Sequence, residues 1–134
     1  KNRHPWIDTS IENELHAYLA SICKSLDCPA HTIGGIEDHV HVLCTLSRTI
    51  EISVLIGKIK ANSSRWIKTK GPGYSDFSWQ NGYGAFSIGQ SQIVAVREYI
   101  ANQRGHHRVR SFQEEYRALL EKYCVNYDEL YVWD

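Results

Sequence analysis

The sequence predicts a single α+β domain in which helices pack against an antiparallel sheet. With 134 residues, 43% of them hydrophobic, the chain is long enough for one hydrophobic core and too short for two. Segments with apolar residues at helical spacing alternate with shorter β-rich runs. Their order, α-β-β-α-β-α-α, is typical of helices layered on a sheet.

The N-terminal third of the chain is predicted to form a helix and a hairpin. Thr9 and Glu12 have the spacing of a capping box, and apolar residues follow at helical intervals, which predicts a helix over residues 9–26. Two β-rich runs come next, at 31–36 and 39–46, with two acidic residues between them. This pattern predicts an antiparallel hairpin.

The middle of the chain is predicted to add a helix and a third strand. Residues 50–70 carry one apolar face, and a Gly-Pro-Gly turn at 71–73 ends the helix. The aromatic run 79–88 predicts a strand, in which Gly82 and Gly84 indicate a bulge or a close backbone approach. A strand ahead of these elements would complete the βαββαβ order. We therefore expect a ferredoxin-like antiparallel sheet whose first strand is missing or shortened.

Two further helices are predicted near the C-terminus. Residues 91–104 carry an apolar stripe, and Gly105 is placed to end that helix. Ser111 and Glu114 form a second capping box, which opens a helix that runs through Tyr123. The apolar residues of this last helix recur at helical spacing and are expected to face inward.

Composition limits the class of partner and the compartment. Lys plus Arg number 15 and Asp plus Glu number 15, so no global field attracts a nucleic acid or a membrane. The four cysteines form no CxxC pair, which favours reduced thiols in a cytoplasmic protein. No apolar run approaches the roughly 20 residues of a membrane span, and no signal peptide opens the sequence. We expect a cytoplasmic protein with no membrane contact.

The sequence His39-Val40-His41 is a candidate metal site. Residues two apart on a strand point to the same face, so His39 and His41 can present two imidazoles to one ion. The chain contains seven histidines, so the pattern also arises by chance. Taken alone, the pair is more typical of ordinary polar residues on a strand.

Tyr99 and Gln103 form a second candidate pair. Four positions apart on a helix, their side chains lie side by side. They flank the apolar stripe of the predicted 91–104 helix. Taken alone, Tyr99 is typical of a packing residue at the edge of a core stripe, and Gln103 is typical of a solvated side chain.

The charges are unevenly distributed in spite of the zero total. No acid occurs between Glu51 and Asp76, and the acids that compensate, Glu114 and Glu115 among them, collect near the C-terminus. Two basic clusters around a metal-and-tyrosine site are what binding to a phosphate backbone requires, although a charge run is also typical of a solvated face. The candidate DNA-binding residues are Lys58, Lys60, Arg65, Lys68, Arg104 and Arg108.

Several segments of the chain carry a resemblance when they are taken together. They are Asp38–His41, Lys60 with Ser63–Trp66, Trp79–Ser87, Tyr99–Gln103 with His106 and His107, and Tyr127–Glu129. The HUH pattern of His39-Val40-His41 alone is a weak signal, but HUH in a hairpin, followed in order by a GYGAFS strand and a YIxxQ helix, is specific. The segments resemble the single-tyrosine HUH transposases of bacterial insertion sequences, to which the REP-associated tyrosine transposases are closely related, and the likeness covers nearly the whole chain.

The resemblance implies a role for each site residue. His39 and His41 would bind a divalent metal, Gln103 would be the third ligand, and Tyr99 would be the nucleophile. Two imidazoles, an amide oxygen and substrate oxygens suit Mg²⁺ or Mn²⁺, and Mn²⁺ is the better match to the nitrogen ligands. The same ligands are also compatible with Zn²⁺. A tyrosine that stays bonded to phosphorus conserves the energy of the cleaved phosphodiester. The expected product is a 5′-phosphotyrosine with a free 3′-hydroxyl.

The resemblance also implies the partners. The substrate would be single-stranded DNA with an imperfect hairpin near the end of the element. The protein would be a homodimer, in which the Tyr99 helix of one chain could complete the HUH site of the other.

Two other functions compete with this interpretation. A non-catalytic ferredoxin-like protein could bind single-stranded nucleic acid through surface aromatics, although neither strand of the hairpin carries an RNP-type aromatic pattern. A small zinc-binding protein could use His39, His41 and a cysteine. Cys44, however, is expected on the face of the strand opposite both histidines.

Overall fold

The computed structural model describes residues 4–103 and 111–128. Within these ranges the chain forms a two-stranded antiparallel sheet and four helices, so the α+β prediction is confirmed. Two short 3₁₀ helices are also present, at Pro72–Tyr74 and Gln90–Gln92. In chain order the elements are α1 (Glu12–Ser25), β1 (Ala30–Ile36), β2 (His39–Cys44), α2 (Ile52–Lys68), α3 (Ile93–Ala101) and α4 (Phe112–Lys122).

The hairpin has two chemically different faces. Antiparallel pairing sets His41 opposite Gly34, and partners across a ladder share a face. His39 lies on this same face because it is two residues from His41. Ile33 and Val40 project from the other face, where they pack against the hydrophobic core. The hairpin therefore separates the histidines from the core.

The core lies between the hairpin, α1 and α2. Each buried aliphatic or aromatic side chain contributes about 1.5–3 kcal/mol relative to an exposed one, so this cluster holds α1, α2 and the back of the hairpin together. Its buried members are Ile7, Ile11, Leu15, Leu19, Ile67 and Phe77.

Helix α3 packs on the opposite face of the hairpin, the one that carries the histidines. Its backbone touches β1 at Gly34, where an added Cβ would lie 2.4 Å from the carbonyl oxygen of Ile100. Only a residue without a side chain permits this approach. Because Gly34 is opposite His41, the contact brings the helix that carries Tyr99, with Gln103 two residues beyond its end, over the histidine strand.

The two predicted capping boxes have different outcomes. The prediction for Thr9 is wrong, since α1 begins at Glu12 without a side-chain cap. The Asp8 carboxylate accepts the backbone N–H of Ser10 at 3.0 Å, and the Asp8 carbonyl accepts the N–H of Glu12. Asp8, and not Thr9, therefore makes the hydrogen bonds at the start of α1.

The C-terminal capping box is confirmed. The Ser111 hydroxyl accepts the backbone N–H of Glu114 at 3.3 Å, and the Glu114 carboxylate accepts the backbone N–H of Ser111 at 3.3 Å. These reciprocal bonds fix where α4 begins, and so fix which side chains of the helix face inward.

The predicted third strand over 79–88 is wrong. In the part of the chain that the structure describes, the sheet has only β1 and β2, so this segment pairs with neither. Hydrogen bonds from a side chain of α2 hold the segment in place instead. The Lys60 ammonium donates to the carbonyl oxygens of Gln80, Asn81 and Gly82 at 2.7, 3.2 and 2.8 Å. Trp79 donates its indole N–H to the Ser63 hydroxyl on α2, and Phe86 stacks on Tyr123. These two aromatic residues therefore contact helical segments rather than a neighbouring strand.

All four cysteines are free thiols, as expected. Cys23 and Cys28 are buried, whereas Cys124 is exposed. Burial raises the pKa of Cys23 to about 11, so this thiol stays protonated and unreactive at neutral pH. Among the described residues, no helix combines the length and apolar character that spanning a bilayer demands.

The glycine contact between β1 and α3 predicts the effect of a single methyl group. Gly34→Ala should destabilise the protein by about 1–3 kcal/mol, because the clash is with backbone rather than with a mobile side chain. Urea denaturation measures this loss. The control Gly73→Ala, where an added Cβ meets no atom within 4 Å, should change stability by less than about 0.5 kcal/mol. Equal midpoints for the two variants would show that α3 is not seated at Gly34.

Candidate metal centre

The two histidines of β2 converge on one point. Their ring centroids are 5.1 Å apart, and the ring planes meet at 85°. His39 is buried, with 7% of its surface exposed, whereas His41 is half-buried. The period of two along the strand therefore places both imidazoles on one face, as the sequence predicted.

Asp38 orients the first imidazole. Its Oδ1 lies 2.8 Å from Nδ1 of His39. An ionised carboxylate can only accept, so Nδ1–H donates to it, and in the neutral ring Nε2 then keeps its lone pair. A carboxylate behind a histidine fixes the ring in this way in many metal sites. The neutral ring of His39 would therefore present its Nε2 lone pair to the centre.

A carboxylate from α4 completes the cluster. Glu115 Oε1 lies 2.5 Å from Nε2 of His41 and 3.9 Å from Nε2 of His39. Only 1% of the Glu115 surface is exposed. The three candidate ligand atoms lie within 4.8 Å of one another. Two imidazoles and a carboxylate form a donor set that binds divalent metals.

Sequence reasoning missed Glu115, although the sequence held a signal for it. The residue was counted among the acids that balance the basic clusters. On α4, however, it lies three residues after Phe112 and four before Leu119, in phase with the apolar stripe. A carboxylate on the inward face of a helix is rarely buried without a partner, so this position indicated a cation or a polar site.

Gln103 lies beside the first histidine. Its Oε1 is 3.2 Å from Nε2 of His39, and its amide Nε2 donates to the carbonyl oxygen of Tyr99 at 3.3 Å. The second bond turns the amide so that its oxygen faces the centre. Gln103 is 2% exposed, so it is not the solvated glutamine that its helix position alone suggested.

Tyr99 is one helical turn before Gln103 and borders the same centre. Its ring centroid is 6.1 Å from that of His41, with the planes at 63°. The side chain is half-buried. Because α3 packs on the histidine face of the hairpin, the tyrosine and the histidines of one chain meet without a second copy.

Helix α4 forms an apolar wall around the centre. The Phe112 ring lies 4.6 Å from the His39 ring and stacks on Tyr116 at 5.7 Å. A Cβ on Gly84 would lie 2.7 Å from the Tyr116 ring, which is the close approach that the glycines in this segment indicated. Burial raises the pKa of the Tyr116 phenol. This wall lowers the local dielectric and strengthens electrostatic interactions inside it.

The basic residues of α2 do not line the histidine centre. Lys58, Arg65 and Lys68 are exposed, but α2 belongs to the core side of the hairpin, away from the histidines. Lys60 is half-buried and gives its ammonium to three carbonyl oxygens, and burial lowers its pKa. Lys68 borders an open groove of about 410 Å³ between α2 and residues 77–81.

Arg104 and Arg108 lie outside the residues that the structure describes. In the sequence Arg104 follows Gln103 directly, and Arg108 lies four residues after Arg104.

Comparison with known proteins identifies the family. A sequence model described as IS200-like transposase matches residues 1–103. The fold is similar to a crystal structure from Deinococcus radiodurans R1, of a protein provisionally described as a transposase: the TM-score is 0.59 and the identity 20%, over 77% of this chain and 83% of that one. No curated protein matches the sequence. The resemblance found in the motifs is therefore confirmed, and the chain belongs to the IS200-like transposase family.

Proposed function

We propose that this transposase cleaves and rejoins single-stranded DNA that carries a hairpin, with Tyr99 as the nucleophile and a divalent metal held by His39, His41 and Gln103. The observation that carries the proposal is the position of the Tyr99 ring, 6.1 Å from His41 on the same face of the hairpin. A phenol and a metal site at this separation can engage one phosphate group.

The nucleophile determines the products of the reaction. The Tyr99 oxygen bonds to phosphorus, and the bond from phosphorus to the 3′ oxygen breaks. The phenol proton is lost, and the leaving oxygen takes up a proton to become a 3′-hydroxyl. The resulting 5′-phosphotyrosine keeps the energy of the phosphodiester, so a 3′-hydroxyl can later reverse the step and join a strand.

The donor atoms fit a divalent metal. His39 Nε2 and Gln103 Oε1 are 3.2 Å apart, close to the spacing of about 3 Å between neighbouring ligands of an octahedral Mg²⁺ or Mn²⁺. Nitrogen ligands favour Mn²⁺ over Mg²⁺. When bound, the ion supplies a Lewis acid for the phosphate oxygens. Asp38 keeps the His39 lone pair available, and the Tyr99 carbonyl keeps the Gln103 oxygen turned toward it.

The DNA backbone would meet the exposed cations of α2. Lys58, Arg65 and Lys68 lie on the core side of the hairpin, and Arg104 and Arg108 follow the helix that carries Tyr99. The DNA would then pass around an edge of the domain. The hairpin of the DNA would lie near α2, and the cleaved strand would lie at the histidines. These local clusters of positive charge would bind the DNA phosphates, although the net charge of the chain is zero.

A non-catalytic nucleic-acid-binding protein is the alternative. It would bind without metal and form no covalent product. The buried His39, Gln103 and Glu115 beside a tyrosine favour the enzyme, because burying such polar groups costs stability that simple binding does not require.

The covalent intermediate gives the first test. With Mn²⁺ and a labelled pool of hairpin-bearing single strands, the protein should form a DNA adduct that resists denaturant. Tyr99→Phe should reduce the adduct on the order of 10³-fold or more, because it lacks the attacking oxygen. Tyr83→Phe, at an exposed tyrosine, is the control and should retain it. An undiminished adduct in Tyr99→Phe would assign the nucleophile to another residue.

The assembly of the site within one chain gives the second test. Chains with Tyr99→Phe are mixed with chains with His41→Ala, and heterodimers are verified by mass. Since the tyrosine and the histidines meet within one chain, the mixture should cleave no faster than the separate variants. Recovery of cleavage would instead show the homodimer with shared sites that the resemblance implied.

The role of α2 in DNA binding gives the third test. The double variant Lys58→Ala with Arg65→Ala should flatten the slope of log K against log salt by about one for each lost phosphate contact. Lys24→Ala, at an exposed lysine on α1, should leave the slope unchanged. A slope equal to that of the wild type in the double variant would remove both residues from the footprint.

A further inference from the structure

We propose that Glu115 is an additional ligand of the metal, so that the bound ion fastens α4 onto the catalytic centre. This inference rests on the proposed metal-dependent function. It adds a residue that lies outside the segment matched by the family, residues 1–103. The position of the carboxylate, between both histidines and on a separate helix, carries the inference.

The position of the carboxylate is the first argument. Glu115 Oε1 is in contact with His41 and lies 3.9 Å from the nitrogen that His39 presents to the centre. A buried carboxylate is stable only when its charge is compensated. In the structure Glu115 is hydrogen-bonded to His41. A divalent cation shared with the two imidazoles would compensate the charge of the carboxylate more fully, since imidazole nitrogen and carboxylate oxygen are both ligands of divalent metals.

The complete donor set is the second argument. Gln103 Oε1 is 3.2 Å from His39 Nε2, and Glu115 Oε1 lies near the same nitrogen and in contact with His41. Two nitrogens, an amide oxygen and a carboxylate oxygen would supply four ligands, fewer than the six that Mg²⁺ takes. The carboxylate would thus add affinity without closing the site to substrate.

The attachment of α4 is the third argument. Phe112 on His39 and Tyr116 on Gly84 are contacts between the helix and the rest of the domain, Leu120 is buried, and Tyr123, just after the helix, stacks on Phe86 at 4.9 Å. A bond from Glu115 to the metal would add a polar contact between α4 and the histidines of β2. Metal binding should therefore stabilise α4 against local opening.

The experiment combines a metal titration with hydrogen exchange. The Mn²⁺ affinity is measured by calorimetry, and amide exchange over residues 112–122 is followed with and without Mn²⁺. In the wild type, Mn²⁺ should slow exchange in this helix. Glu115→Ala should weaken Mn²⁺ binding about 10- to 100-fold and remove the slowing. Glu121→Ala, at an exposed carboxylate of the same helix, should match the wild type in both measurements.

A second variant covers the case in which Glu115→Ala fails to fold. Glu115→Gln keeps the size and a ligating oxygen but removes the charge, so Mn²⁺ binding should weaken by a smaller factor than in Glu115→Ala, with part of the protection kept. Unchanged affinity and unchanged protection in both variants, while His39→Ala abolishes binding, would overturn the role of Glu115 and leave the proposed function intact. Failure of the wild type to bind Mn²⁺ would overturn both.

Discussion

The contact between the backbone of α3 and Gly34 determines where the chemistry of this protein can occur. A strand residue without a side chain lets the helix approach to backbone distance, and the residue across the ladder from it is His41. The register of one hairpin therefore sets the position of the helix that carries Tyr99 and of Gln103, which follows it. Any longer side chain at this point would separate the phenol from the imidazoles.

The electrostatics of the centre follow from this packing. Polar side chains of β2 and α4, together with Gln103, meet beside the Phe112 ring, where a charge interacts strongly with its neighbours. The exposed cations of α2 lie beyond the hairpin, on the far side of the core. Under the proposed function, one face would bind the DNA backbone and the other would carry the chemistry. A substrate that reaches both faces would then bend around the protein.

Local features of the fold were predictable, and features that depend on distant partners were not. The hairpin, the His39 and His41 pair and the Ser111 cap follow from spacing within a few residues. The segment 79–88 has strand-like composition, but a strand also needs a neighbour, which composition does not supply. Glu115 was missed because its role depends on a contact 74 residues away in sequence, and only its phase on α4 indicated burial.

Pulsed electron paramagnetic resonance of the Mn²⁺-loaded protein tests the central claim most directly. Two directly bound imidazole nitrogens should couple to the ion in the wild type, and one coupling should disappear in each of His39→Ala and His41→Ala. Tyr99→Phe should leave the spectrum unchanged, since the role proposed for the phenol is to attack the phosphate and not to bind the ion. A spectrum without nitrogen coupling, in which the ion keeps only oxygen ligands, would contradict a metal centre at the histidine pair.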